Sequence, residues 1–333
     1  MPHDTPMTSR ERVEAAIRGE AVDHPPVSLW CHFPERDQTA EGLAASTIAW
    51  QRRHDFDLVK FMPPGDYPII DWGGETVFEG SPEGTRTTTQ FPIDKPEEWG
   101  ALKAVEPHRG FNEVILDALH RSREGIEADV PIFQTIFSPL TIAMKLSDGK
   151  VLDHLRSHPD AVQAGLAVIS DVTRRMLEAS FDAGADGIFF ATQLADGTVL
   201  DEATYRTFGL PYDLEVLKPA KGRGWTMLHL HGEAPMFGMG GEYPAEILNW
   251  HDRHASPDLA TGERTSERCV AGGINEKTVA TAEPADVAAE ARDAVAQTDG
   301  RHLIVAPGCV VPVATPEKTI RAVIGAVRNS AAG

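Results

Sequence analysis

The chain has 333 residues, 41% hydrophobic and 24% charged, with 31 Lys and Arg against 50 Asp and Glu and a formal net charge of −19. That length suffices for a large core, and the composition is that of a globular protein in water, while an acidic excess spread along the chain repels nucleic acid and anionic membrane alike. No apolar run approaches the ~20 residues that cross a bilayer, and Met1 to Arg12 lacks the apolar stretch of a secretory signal, so the expected setting is the cytoplasm.

In chain order, Thr8-Ser9-Arg10-Glu11 is a capping-box pattern, with Thr8 at the N-cap and Glu11 at N3, followed by a stripe of Val13, Ala16 and Ile17. Val27 to Trp30 is a first strand candidate, ending in Cys31-His32. A helical stretch through Ala44, Ile48 and Trp50 leads to a second strand, Phe56 to Met62, stopped by Pro63-Pro64-Gly65. Residues 66–107, rich in Gly, Pro and Thr, form an excursion with short hairpins. A helix at Gly110 to Ile126 precedes a strand of apolar and β-branched residues, Pro131 to Phe137.

The second half is more regular. Ala161 to Ala183 has helical periodicity through Val162, Leu166, Ile169, Val172, Met176 and Leu177, and runs into the strand Gly187 to Phe190. Glu202 to Pro219 is helical apart from Pro211. The strand from Trp225 then carries His229 and His231, and the glycine-rich Met236 to Gly241 lacks dinucleotide spacing, reading as a lid or turn. Ile247 to Trp250 and Cys269 to Gly273 are further strands, Pro284 to Gln297 is a helix, His302 to Ala306 is the last strand, and Thr315-Pro316 opens a final helix.

Eight strand candidates, near residues 27, 58, 132, 187, 226, 247, 270 and 303, with helices between most of them, predict one (β/α)₈ barrel domain over residues 1–333. A doubly wound sheet fits less well, because no phosphate-binding turn follows the first strand. Chemistry in such a barrel sits at the C-terminal strand ends. His229 and His231, two apart on one strand, project from the same face, and Cys309 follows the eighth strand in a Pro-Gly-Cys turn. Two imidazoles and one thiolate, with a fourth position open, have the form of a catalytic zinc site; an isolated His-x-His among 13 histidines is also a common accident. Cys31 and Cys269 read as buried small apolar residues, and three widely spaced cysteines predict no disulfide framework.

Several motifs in order resemble the uroporphyrinogen decarboxylase superfamily: Arg10-Glu11-Arg12-Val13 with Pro25-Pro26-Val27, Ser138-Pro139-Leu140-Thr141, Gly184-Ala185-Asp186-Gly187, Leu210-Pro211-Tyr212, Ala271-Gly272-Gly273-Ile274-Asn275, and Pro307-Gly308-Cys309 with Thr315-Pro316. The resemblance spans roughly Met7 to Val327 and implies a (β/α)₈ barrel. True decarboxylases of that superfamily have an arginine-rich segment after the first strand and an aspartate after the second. Here those places read Leu29 to Arg36, with no arginine pair, and Lys60-Phe61-Met62-Pro63. The other branch, the cobamide-dependent methyltransferases, holds zinc with a His-x-Cys pair and a later Gly-Cys. This chain is similar at His229 and Cys309 and departs at His231, so one thiolate is lost and zinc becomes a stronger Lewis acid.

The resemblance implies a zinc-dependent methyltransferase that activates a thiol acceptor, taking methyl from a corrinoid on a partner protein, and a homodimer. The alternatives are a metal-assisted lyase, decarboxylase or hydrolase acting on a small carboxylate, and a carrier without turnover. Further candidates are His32 as general acid or base, Glu233 as a catalytic acid or displaceable fourth ligand, Lys60 pairing with a substrate carboxylate or with Asp57, and Gln193 and Tyr212 as substrate contacts. Each also has a plain reading: a surface histidine, an exposed loop acid, a packed tyrosine. Asp196-Gly197, beside Gln193, is either a contact or a turn.

Overall fold

The computed structural model describes residues 6–330. Seven parallel strands form one curled sheet: β1 (Val59–Phe61), β4 (Ile132–Phe137), β5 (Gly187–Thr192), β6 (Trp225–Leu230), β7 (Ile247–Trp250), β8 (Cys269–Ile274) and β9 (Leu303–Pro307), in that spatial order. The strands β2 (Glu75–Val77) and β3 (Thr87–Gln90) form a separate antiparallel hairpin. Every residue of β4, β5 and β8 is buried, which explains their continuous apolar runs: a parallel sheet covered by crossover helices has no wet face.

The expected first strand is the largest difference. Only Val27 makes a bridge, parallel to Val305 of β9. Pro25 and Pro26 have no N–H to extend a ladder, and Ser28 turns its hydroxyl to the Leu58 carbonyl, 2.7 Å away. The segment nevertheless lies between the two sheet edges, since Ser28 N–H reaches Val305 O (3.0 Å), Val305 N–H reaches Pro26 O (2.8 Å) and Asp57 N–H reaches Val27 O (3.0 Å).

Three acids placed just before a strand repeat one geometry. The Asp57, Asp186 and Glu246 carboxylates accept the N–H of Val27, Ile132 and Thr226 at 2.9, 2.9 and 2.8 Å. The backbone N–H of each acid returns a bond to the carbonyl of the same partner residue. Arg12, buried in the capped helix Ser9–Ile17, donates to Asp57 (2.5 Å) and to Asp23 (2.7 and 2.8 Å). Asp57 is thus committed to Arg12 and Val27, and it does not pair with Lys60. The Thr8–Glu11 capping box forms as the sequence indicates.

Elsewhere the elements shift at their ends. The long helix spans Pro159–Asp182. Glu202 to Pro219 divides into Glu202–Phe208 and Leu210–Leu217, because a Cβ at Gly209 would lie 2.7 Å from the Tyr205 ring and Pro211 removes a donor. Helices Pro139–Leu146, Val151–Ser157 and Leu259–Ser266 were not anticipated. The Met236 to Gly241 stretch forms a 3₁₀ helix, Phe237–Glu242, held by Arg268 donating to the Gly240 and Gly241 carbonyls.

Candidate metal centre

β6 delivers His229 and His231 to the C-terminal edge of the sheet, as their alternation requires. The neighbouring β7 delivers a residue the sequence reading passed over, His251, directly after Trp250. Cys309 follows β9. His231 Nδ1 stands 3.3 Å from His229 Nε2, 3.1 Å from His251 Nε2 and 3.9 Å from Cys309 Sγ, and the four donor atoms all lie within 4.8 Å of one another. Around tetrahedral zinc, with nitrogen at ~2.0–2.1 Å and sulfur at ~2.3 Å, donors stand ~3.3–3.6 Å apart, so this set fits.

The neighbours fix what the rings present. Asn249 donates its amide N–H groups to Ala271 O (2.8 Å) and Pro307 O (3.1 Å), which leaves Oδ1 to accept from His229 Nδ1 at 2.6 Å. Glu276 takes the N–H of His251 Nδ1 at 2.5 Å. His229 Nε2 is thereby left with its lone pair, and the Nε2 atoms of His229 and His251 both aim at His231 Nδ1. One His231 proton can bridge only one of them. Ring nitrogens that converge in this way could hold a metal ion together with Cys309, and hydrogen-bonded second partners of this kind are how metal-ligating histidines are oriented.

Electrostatics agree. Burial, with the neighbouring histidines adding, pushes His229 well below the usual imidazole range and His231 down to about 4, so both are neutral at pH 7. Burial, with Glu276 and Glu83 adding and the Val310 N–H and Lys60 opposing, pushes the Cys309 thiol up to about 11; a bound divalent cation would reverse that by stabilising the thiolate.

These groups form one end of a cavity of ≈ 290 Å³, which His32, Lys60, Gln193, Trp30, Phe137 and Phe189 also line. His32 is buried, with Nδ1 lacking a protein partner. Desolvation, with Lys60 and Lys145 nearby, pushes it down to about 3, so it is neutral and suited to accept a proton or hydrogen bond, not to act as a cationic acid. Burial likewise pushes Lys60 down to about 7. Gln193 is placed by its N–H on Thr141 Oγ1 (2.9 Å).

Two sequence candidates lie elsewhere. Glu233 is exposed and paired with Lys277 at 2.8 Å, outside the group of donor atoms that His251 forms with His229, His231 and Cys309. Tyr212 sits outside the cavity on the helix Leu210–Leu217, its carbonyl accepting from Ser170. Asp196 proves to be a turn anchor, bonded to Thr198, Glu233 N–H and Ala234 N–H. Cys31 and Cys269 are buried, and all three cysteines are unbridged.

A curled parallel sheet with side chains of chemical type gathered at its C-terminal edge defines an α/β enzyme scaffold. The chain belongs to the uroporphyrinogen decarboxylase (URO-D) family, whose pattern matches residues 8–330. It is 24% identical over 337 residues, 96% of this chain and 97% of the relative, to the methylcobamide:CoM methyltransferase MtaA of Methanosarcina barkeri. Uroporphyrinogen decarboxylase of Azoarcus sp. (strain BH72) is 29% identical over 137 residues, 39% of this chain and 37% of that protein. The solved methyltransferase from Methanosarcina mazei shares the fold with a TM-score of 0.83 at 23% identity, covering 97% and 98% of the two chains.

Proposed function

We propose that this chain is a zinc-dependent methyltransferase that activates a small thiol for methyl transfer from a corrinoid carried on a partner protein. The observation that carries the reading is the convergence of His229, His231, His251 and Cys309, with the Nε2 atoms of His229 and His251 aimed at one point. Zinc held there lowers the pKa of a thiol, so that a thiolate is available at neutral pH. The chain's own residues do the rest. Asn249 and Glu276 hold the His229 and His251 tautomers, and the Glu276 carboxylate balances charge that a single Cys309 thiolate leaves uncompensated. Trp30, Phe137 and Phe189 exclude water, while Lys60, Gln193 and the unpartnered His32 Nδ1 offer polar contacts to a bound molecule.

The reading includes one domain built as a closed (β/α)₈ barrel. Its support is that the Val27 segment pairs with Asp57 as Ile132 does with Asp186 and Thr226 with Glu246, and also bonds to β9. A cytoplasmic homodimer is part of the same proposal. The second reading, a metal-assisted lyase or hydrolase on a small carboxylate, is favoured by the loss of one thiolate, which makes the centre more Lewis-acidic.

The test is metal analysis beside turnover. Purified protein should carry about one zinc per chain, in keeping with a four-donor site, and should consume methylcobalamin in the presence of 2-mercaptoethanol. Absence of zinc after supplementation would refute the centre; zinc without methyl transfer to any thiol tried would favour the second reading.

A further inference from the structure

The lysine and glutamate side chains that line the cavity are Lys60, Lys145 and Glu83. Lys145 has a counter-charge, with Asp66 Oδ1 3.1 Å from its Nζ. Lys60 and Glu83 have none: among the described residues neither forms an ion pair, with the other or with a third group. Lys60 sits in β1, 8% exposed. Its Nζ lies 4.2 Å from the ring centroid of Phe189 and 5.6 Å from that of Trp30, a cation–π arrangement that favours the protonated amine. Ring faces and the Met62 sulfur do not replace an anion, so the buried ammonium is incompletely compensated. Asp57, three residues before it, is taken by Arg12.

Glu83 is exposed at the mouth of the same cavity, on the connection between β2 and β3. That connection is fixed against the site. Val313 N–H donates to Pro82 O at 2.8 Å and Gly84 N–H to Ser81 O at 2.9 Å. Gly84, with φ +76°, packs so closely that a Cβ there would fall 2.8 Å from His32 Cβ. The Glu83 carboxylate accepts from Ser81 Oγ at 3.0 Å. Arg86, three residues on, is engaged with Thr76, the Pro34 carbonyl and Asp37 instead.

Opposite charges that line one cavity without meeting are complementary to a ligand that carries both. We infer that this cavity takes a zwitterionic α-amino acid, its carboxylate on Lys60 and its ammonium on Glu83, with the side chain toward His229, His231 and Cys309. That the side chain ends in the acceptor thiol rests on the methyl-transfer reading; the zwitterion follows from Lys60 and Glu83 and stands without the metal. A thiol bearing only an acid leaves Glu83 without a partner. One bearing only an amine leaves Lys60 so, at the greater cost, because Lys60 is the buried member of the two.

The test is equilibrium dialysis of the full, chelator-treated chain against L-methionine, a zwitterion whose thioether needs no metal, and against its two analogues that lack the ammonium or lack the carboxylate. L-methionine is expected to bind at least about tenfold tighter than the analogue without the carboxylate, as for a hydrogen bond to a buried charge. It should bind about threefold tighter than the analogue without the ammonium, the smaller factor of an exposed pair. Lys60→Met should erase the first preference and keep the second, and Glu83→Gln the reverse, each with unchanged circular dichroism. A merely structural role would weaken all three ligands alike, which overturns the assignment. So does wild type that binds none of them, or that binds the analogue without the ammonium as tightly as L-methionine, which is anion recognition alone. A chain that holds zinc and shows neither preference sinks the zwitterion only, and one that shows both preferences without ever holding zinc sinks the metal only.

Discussion

His251 is the residue at which the proposed metal centre is most directly tested. If it is the fourth donor, His251→Ala should release zinc as readily as His229→Ala, whereas Glu233→Gln should keep full occupancy, both read by metal analysis after dialysis. Asn249→Leu, which frees the His229 tautomer, should weaken zinc about 10–100-fold, the usual effect of removing such a partner. His32 carries a separate prediction. Its pKa in the folded chain, about 3, lies below the ordinary 6.5. Its stabilising contribution is therefore complete above pH 6.5 and is lost as pH falls from 6.5 toward 3, at up to ~1.4 kcal/mol per pH unit. His32→Asn should flatten that part of the denaturation profile. His229, His231 and Cys309 were legible because two residues apart on a strand means one face, and a Gly-Cys turn after a strand means one edge. His251 was not, since nothing along the chain says that β7 lies beside β6; a histidine directly following the apolar run Ile247 to Trp250 was the available signal.

Among elements, the capped first helix matters through Arg12. Its guanidinium joins Asp23 and Asp57 where all three are at least mostly buried. Arg12→Ala would strand Asp57 without its cation and should cost about 3–5 kcal/mol in denaturant titration, as breaking a buried pair does. The turn after β6 is fixed differently. Gly232 has φ +117°, and a Cβ there would fall 1.8 Å from Asp196 Oδ2. Gly232→Ala should therefore cost on the order of 1–3 kcal/mol and, lying beside His231, should lower zinc occupancy too. Helix and strand types were largely readable from periodicity. Their ends were not, because contacts such as Arg268 pinning Gly240 join parts of the chain that are distant in sequence.

At the scale of the molecule, the alternation of strands and helices indicated a parallel sheet with crossover helices, and among the expected strands only the Val27 segment departed, held by side chains and two edges instead of a ladder. A single cooperative transition in calorimetry is the expected outcome for one core. The acids before β1, β5 and β7 add something about how that core is assembled. Each one ties its own strand to the partner that precedes it in the sheet, so the natural module is a couple of strands, not one strand with its helix. New chain ends should then be tolerated between couples and resented within them. A circular permutant opened at the exposed Gly222, between β5 and β6, should keep a higher denaturant midpoint than one opened at the equally exposed Gly241, between β6 and β7.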